Sequence, residues 1–281
     1  MVDLNERVVA NEVIPNTVAN RSIMLNKQPK VAVMFFGNMG VGKSMLLSQL
    51  GGRFVSRFAM LEGVTKIVEE NEVDIEGQRI VLVDTPGLYE YDDKSTKANC
   101  KILTKAFKKD YYYKLFFVVE SCSRVISPED LALMARVNEA ICQVDGSKVE
   151  FGIIINKIRG DAEFYEYKQR ATPETLEHSL GKLGERTKAL SFKIKIKSVL
   201  LLKYDENAVE HNLFHERLVS EVMNHTAVRV KVKAIHAVSN DINLLWKITE
   251  GILIGIVSSG VVAGIALKCA PIAAAAVLAI I

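Results

Sequence analysis

The sequence has 281 residues, of which 49% are hydrophobic and 25% are charged, and its formal net charge is +3. A charge this small gives no support for nucleic-acid binding, and the length suffices for one sizeable core with appended segments. The four cysteines are widely spaced and form no CxxC or CxxxC pair, which favours reduced thiols in a cytosolic compartment over a metal site. The first residues are charged without an apolar stretch, so we expect no signal peptide.

Composition divides the chain into four segments. Residues 1–28 are mixed and polar, and we predict an N-terminal extension there. Residues 29–226 alternate apolar runs with amphipathic stretches, as one folded domain does. Residues 227–250 are predicted to form a basic helical linker, and residues 251–281 form a strongly apolar tail.

Strands are predicted to alternate with helices through the folded domain. Helix starts are indicated at Lys43 and, by an N-cap residue followed by proline, at Ser127-Pro128 and Thr172-Pro173. The alternation predicts an α/β fold with a mainly parallel sheet covered on both faces. The predicted strands are Lys30–Phe36, 67–75 and 78–84 (joined by a hairpin at Glu76-Gly77), Tyr113–Glu120, Val149–Asn156 and Lys193–Lys203.

Residues 37–44, GNMGVGKS, fit the pattern GxxxxGK[ST] between a predicted strand and a predicted helix. Glycines remove Cβ atoms so that backbone N–H groups can converge on phosphate oxygens, and the helix directs its positive end at the same anion. Lys43 is expected to neutralise the β- and γ-phosphates, and Ser44 to bind Mg²⁺. The residues predicted to contact the nucleotide here are Asn38, Met39, Gly40, Val41, Gly42, Lys43, Ser44 and Met45.

Two further segments are predicted to sense the γ-phosphate. Asp84 ends an apolar strand and is followed by Thr-Pro-Gly, so Asp84 is expected to hold the Mg²⁺ shell and Gly87 to offer its N–H to the γ-phosphate. Thr65 is expected to complete the Mg²⁺ shell only when the γ-phosphate is present, which makes residues 52–66 a candidate switch loop. Lys43, Thr65 and Gly87 are thus the predicted catalytic residues.

The base site is predicted at Asn156-Lys157, at the end of another buried strand. GTPases usually carry [NT]KxD here, and the aspartate accepts hydrogen bonds from guanine. This sequence has Arg159 at that position, which offers no acceptor, and Asp161 two residues later could replace it if the loop is shifted. Guanine is the predicted base with adenine left open, and Asn207 is predicted to pack against it.

These elements, with GNMGVGKS, Val64-Thr65 and VDTPGLY, resemble the translation-factor-related (TRAFAC class) P-loop GTPases, and among them the GIMAP-like, septin-related group. The resemblance covers roughly residues 30–210. It implies a Ras-like three-layer fold, GTP and GDP as ligands with Mg²⁺, slow turnover and self-association on membranes. Leu88 stands where a Ras-type enzyme has its water-orienting glutamine. Hydrolysis therefore needs a group from elsewhere, such as one supplied by a nucleotide-dependent homodimer, and a non-catalytic GTP-binding scaffold is the alternative.

The C-terminal part is predicted to anchor the protein. Residues 208–247 are predicted to be helical, and residues 251–281 carry one ionisable side chain, that of Lys268, apart from a cysteine thiol. A helix needs about 20 apolar residues to cross a membrane, so the tail forms either one span or a hairpin turning near Pro271. The expected location is the cytoplasmic face of an intracellular membrane; a helix buried against the domain is the alternative.

Overall fold

The computed structural model describes residues 29–54, 67–87, 93–121, 126–144, 149–187, 193–203, 208–233 and 235. The predictions for the N-terminal extension, for Thr65, Leu88 and Asn207, and for the apolar tail therefore lie outside the described residues.

Strands and helices alternate as predicted over most of the described chain. The sequence-predicted strands lie within two residues of those observed at each end. The strands are β1 Lys30–Phe36, β2 Glu69–Ile75, β3 Gln78–Asp84, β4 Tyr111–Glu120, β5 Ile141–Gln143, β6 Glu150–Ile158, β7 Lys195–Lys203 and β8 Val230–Val232. The helices are α1 Lys43–Gln49, α2 Asp93–Ala106, α3 Pro128–Ala140, α4 Asp161–Arg170, α5 Pro173–Thr187 and α6 Ala208–Asn224.

The main sheet has six strands in the order β2-β3-β1-β4-β6-β7. All neighbouring strands are parallel except β2 and β3, which form the predicted antiparallel hairpin at Glu76-Gly77. Both turn residues have positive φ, 50° and 79°, as a two-residue hairpin turn requires. The α/β architecture with a mainly parallel sheet is thereby confirmed.

Helices cover both faces of this sheet, so the fold has three layers. Val33 and Phe35 of β1 point to a core that includes residues of α1 and α6. Ala32, Met34 and Phe36 point to the opposite core, which includes residues of α2, α3 and α5. Since successive strand residues face opposite sides, a strand buried on both faces reads as a continuous apolar run.

The predicted helix caps are also observed. Ser127 Oγ accepts a hydrogen bond from the backbone N–H of Asp130 at 3.0 Å, with Pro128 as the first helical residue of α3. Thr172 Oγ1 accepts one from the backbone N–H of Thr175 at 3.3 Å before α5. Each cap satisfies an N–H group that has no partner inside its helix.

The prediction of a helix over residues 208–247 is wrong over residues 225–233, and so is the helical form of the linker segment over residues 227–233. Here β8 pairs antiparallel with β5, and Val228 forms a bridge with Tyr113. The segment reads VRVKVK, an alternation of apolar and charged residues that is typical of a strand. Within the described residues, no helix combines the length and apolar character needed to cross a membrane.

Candidate nucleotide site

The loop of residues 37–42 connects β1 to α1 and forms the centre of the candidate site. Gly42 is the N-cap residue of α1 and has φ 99°, which a residue with a Cβ adopts only under strain. A Cβ on Gly42 would lie 2.6 Å from Asn156 Nδ2, and one on Gly37 would lie 2.3 Å from the backbone oxygen of Val118. The loop therefore packs against β4 and β6 with no room for side chains at these two positions.

Lys43 is the cation of the loop and is 7% exposed. Its ammonium donates hydrogen bonds to the backbone oxygens of Gly37 at 3.0 Å and Asn38 at 2.8 Å. The side chain thus folds back over the loop and places a positive charge beside its backbone. This is the position from which an ammonium neutralises phosphate oxygens held by the loop.

Ser44 and Asp84 bring two hard oxygen donors together beside that ammonium. Ser44 Oγ donates to Asp84 Oδ2 at 2.6 Å, and Asp84 is 2% exposed. Mg²⁺ prefers oxygen ligands, takes few of them from the protein and keeps several waters. The hydroxyl and the carboxylate fit a Mg²⁺ site of this kind, although they lie 40 residues apart in the sequence.

Gly87 approaches the phosphate loop from the end of β3. A Cβ on Gly87 would lie 2.9 Å from the backbone nitrogen of Met39. Asn99 of α2 fixes this position, because its Nδ2 donates to the backbone oxygen of Gly87 at 2.7 Å. Thr85 Oγ1 donates to the backbone oxygen of Phe35 at 2.7 Å, which ties the same segment to β1.

Asn156 and Lys157, at the end of β6, contact the phosphate loop directly. Asn156 Nδ2 donates to the backbone oxygen of Val41 at 2.9 Å. Lys157, with φ 59°, donates from Nζ to the backbone oxygen of Gly40 at 2.6 Å and to Glu120 Oε2 at 3.0 Å. The two residues predicted to lie near the base therefore also hold the loop in place.

The fourth position of the base motif departs from the GTPase pattern in structure as well. The backbone N–H of Arg159 donates to Glu163 Oε2 at 3.1 Å, and Glu163 also accepts from the Ser121 hydroxyl. Asp161 is the first residue of α4 and forms an ion pair with Lys203, the last residue of β7. A carboxylate thus stands at the edge of the sheet where β6 and β7 end.

The remaining predicted residues differ in what they offer. The side chain of Val41 is buried in the core that contains α1, so its backbone rather than its side chain is available to a ligand. Met39 and Met45 are half-buried. Thr65 and Asn207 lie outside the described residues.

Sequence reasoning missed Asp130, which reaches the phosphate loop from α3. Asp130 Oδ1 accepts from Asn38 Nδ2 at 2.7 Å, across 92 residues of sequence, and Asp130 is 3% exposed. Burial raises the pKa of Asp130 to about 7. Its place in the first turn of a helix already explains an acidic residue there, so no signal in the sequence indicated the longer-range contact.

One known protein family covers the part of the chain that carries the phosphate loop and the residues around it. Residues 32–157 match the profile of the family described as "50S ribosome-binding GTPase". The chain is similar to the tRNA modification GTPase MnmE of Ruegeria sp. (strain TM1040), with 32% identity over 108 residues, 38% of this chain and 25% of the relative. It is also similar to MnmE of Nitrosospira multiformis, with 35% identity over 104 residues. That match covers 37% of this chain and 22% of the relative. The chain thus spans about a quarter of the length of these curated relatives.

Among solved structures, a dimerization-deficient mutant of Toc33 from Arabidopsis thaliana has 12% sequence identity and a TM-score of 0.44. That match covers 76% of this chain and 91% of the other. The residues matched by the family profile include the glycine-rich loop that joins β1 to α1. Residues 32–157 form a P-loop GTPase domain, which is a guanine-nucleotide-binding domain.

Proposed function

We propose that this chain binds GTP and GDP with Mg²⁺ and hydrolyses GTP slowly to GDP and phosphate, as a membrane-tethered switch that controls assembly. One observation carries the nucleotide part: Lys43, the Ser44–Asp84 pair and the Asn156–Lys157 pair all converge on one loop. A buried ammonium, a hydroxyl–carboxylate pair and two anchoring side chains around a glycine-rich turn are the groups that phosphate and Mg²⁺ binding requires. The finer placement in the GIMAP-like, septin-related group is part of this proposal and rests on GNMGVGKS and VDTPGLY.

The binding step follows from the preformed loop. Lys43 is held beside the backbone of residues 37 and 38, so its charge needs little reorganisation to meet a phosphate oxygen. Ser44 and Asp84 would hold Mg²⁺, which neutralises the charge that develops on the phosphates during their transfer. Gly87, fixed by Asn99, would present its backbone N–H next to the same loop.

Hydrolysis requires a group that orients water, and Leu88 has no polar atom to do so. We therefore propose that a second copy of the chain supplies this group in a nucleotide-dependent homodimer. Turnover per protein should then rise with protein concentration, which a phosphate-release assay on wild type and Lys43→Ala measures. If wild type releases no more phosphate than Lys43→Ala at any concentration, the alternative of a non-catalytic scaffold is correct.

The base preference is the second point to test. We propose that Asp161 replaces the missing aspartate of the base motif, because its carboxylate stands where β6 and β7 end. A carboxylate accepts from guanine N1–H and from the exocyclic amine, whereas adenine has no N1–H to offer. GTP should therefore displace a fluorescent GDP analogue at a far lower concentration than ATP does.

Asp161→Asn tests whether the carboxylate of Asp161 recognises the guanine base. Asp161→Asn should weaken GTP binding by about 10- to 100-fold, since one hydrogen-bonded charge is lost. Asp110→Asn is the matched control, because Asp110 forms an exposed ion pair with Arg229 away from the site. Equal displacement by ATP and GTP in wild type would support the P-loop ATPase alternative instead.

The membrane tether is proposed from the apolar tail of residues 251–281 and from the basic residues before it. The proposed location is the cytoplasmic face of an intracellular membrane. Full-length protein should remain with membranes after carbonate extraction, and a chain that ends at residue 247 should not. Loss of the full-length chain from the membrane fraction would instead support a tail packed on the protein.

A further inference from the structure

The contact between Asn38 and Asp130 joins the phosphate loop to α3 and has no part in the mechanism above. Asn38 Nδ2 donates to Asp130 Oδ1 at 2.7 Å. Asn38 Oδ1, the other polar atom of the same amide, is buried and has no hydrogen-bond partner among the described residues. Native proteins pair nearly all such buried oxygens, so this one calls for an explanation.

The chemistry of the two groups supplies a donor. An ionised carboxylate can only accept hydrogen bonds, so an ionised Asp130 offers nothing to Asn38 Oδ1. A protonated carboxyl carries one O–H donor and one acceptor, and a primary amide carries the complementary acceptor and donor. A neutral Asp130 can therefore give Asn38 Oδ1 the hydrogen bond that it lacks while it keeps the bond from Nδ2.

The surroundings of Asp130 favour the neutral form near neutral pH. Burial raises its pKa to about 7, and the carboxylate of Glu129 on the same helix acts in the same direction. The hydrogen bonds from Ser127 and Asn38 and the charge of Lys43 on the phosphate loop oppose this rise. Phosphates bound at the loop would add negative charge close to Lys43, and would therefore favour the neutral form further.

Asn38 is also the residue through which this contact reaches the ammonium. Its backbone oxygen accepts from Lys43 Nζ at 2.8 Å, while its side chain is held by Asp130. A change in the hydrogen bonds between Asp130 and the Asn38 side chain therefore shifts the backbone oxygen that positions Lys43.

We infer that Asp130 is a positioning residue of the phosphate loop, which it holds as a neutral acid through Asn38, so that nucleotide binding takes up a proton. This inference rests on the proposed nucleotide binding. It makes affinity depend on pH through a residue that touches neither the nucleotide nor the metal.

The direct test is calorimetric titration of GDP into the full chain at pH 7.5, in two buffers of different ionisation enthalpy. Asp130 with a pKa of about 7 is mostly ionised at this pH before GDP binds, so wild type should take up about three quarters of a proton on binding. Asp130→Asn keeps one donor and one acceptor in the same shape but cannot titrate, so it should take up about three quarters of a proton less than wild type. The nucleotide's own phosphate contributes equally to both proteins, and Asp110→Asn should behave as wild type.

The affinity should show the same difference. From pH 7 to pH 8 wild type should bind GDP about fivefold more weakly, and Asp130→Asn should not change. Equal proton uptake in wild type and Asp130→Asn would overturn the inference, and so would wild type without uptake. If Asp130→Asn does not fold, the proton count of wild type decides alone. If wild type binds no GDP at any pH, the proposed function itself has failed, which is a different result.

Discussion

Gly42→Ala tests whether the phosphate loop has the backbone geometry that the structure shows. Gly42 has φ 99°, and holding an alanine in the left-handed region costs roughly 1–2 kcal/mol. The new Cβ would also lie 2.6 Å from Asn156 Nδ2 and displace the 2.9 Å hydrogen bond from that atom to the backbone oxygen of Val41. A buried group left without its partner costs about 1–3 kcal/mol. The free energy of unfolding should therefore fall by about 2–5 kcal/mol.

Two other glycines provide matched controls for this substitution. Gly40 has φ 82° but open space where a Cβ would be, so Gly40→Ala should cost only the conformational part, about 1–2 kcal/mol. Gly181 lies within α5 with open space around it and no positive φ, so Gly181→Ala should stabilise the protein by about 0.5–1 kcal/mol.

The assay is urea unfolding of the nucleotide-free proteins in a chelator, followed by circular dichroism. The predicted order of stability is Gly181→Ala above wild type, then Gly40→Ala, then Gly42→Ala. Equal destabilisation by Gly40→Ala and Gly42→Ala would refute the argument, because the contact of Asn156 with the loop would then contribute nothing.

Three further predictions follow from buried and metal-binding groups. Burial lowers the pKa of His225 from 6.5 to about 4 in the folded chain. Between these pH values the histidine is protonated in the unfolded chain and neutral in the folded one, so acid favours unfolding. The free energy of unfolding should therefore fall by about 3 kcal/mol as pH falls from 6.5 to 4. Urea titrations across this range should show the loss in wild type and in the exposed-site control His215→Gln, and a smaller one in His225→Gln. Lys114 Nζ donates to the backbone oxygens of residues 222 and 223 in the last turn of α6, both at 2.9 Å. Lys114→Met should therefore lower the free energy of unfolding by about 2–4 kcal/mol, while the exposed Lys105→Met should change it little. Equal unfolding midpoints of the two variants would contradict this. Ser44→Ala should remove most of the Mg²⁺ dependence of GDP binding, and an unchanged response to chelator would show that Ser44 is no ligand.

Sequence reasoning located the parts of the site that depend on local pattern. The strand before Gly37 and the helix after Gly42 are both marked by apolar runs, and the motif between them has a fixed spacing. Asp84 and Asn156 were found because each ends a predicted strand, and parallel strands bring such ends to one edge of the sheet. These inferences need no knowledge of distant contacts.

The parts that could not be predicted depend on contacts between distant residues. The role of Asn99 at Gly87 and the contact of Asp130 with Asn38 arise only when helices pack on the sheet, and a single sequence carries no signal of that packing. The error after Asn224 has a different cause. A helical pattern further along the chain was extended backwards over VRVKVK, although its period of two already indicated a strand.

Isothermal titration calorimetry of GTP and GDP into the full chain in magnesium buffer tests the central claim most directly. Wild type should bind each nucleotide at one site, and Lys43→Ala should bind at least about 100-fold more weakly, because the buried ammonium that meets the phosphates is gone. If neither nucleotide binds wild type, or if Lys43→Ala binds equally well, the loop between β1 and α1 is not a phosphate site and the account is wrong.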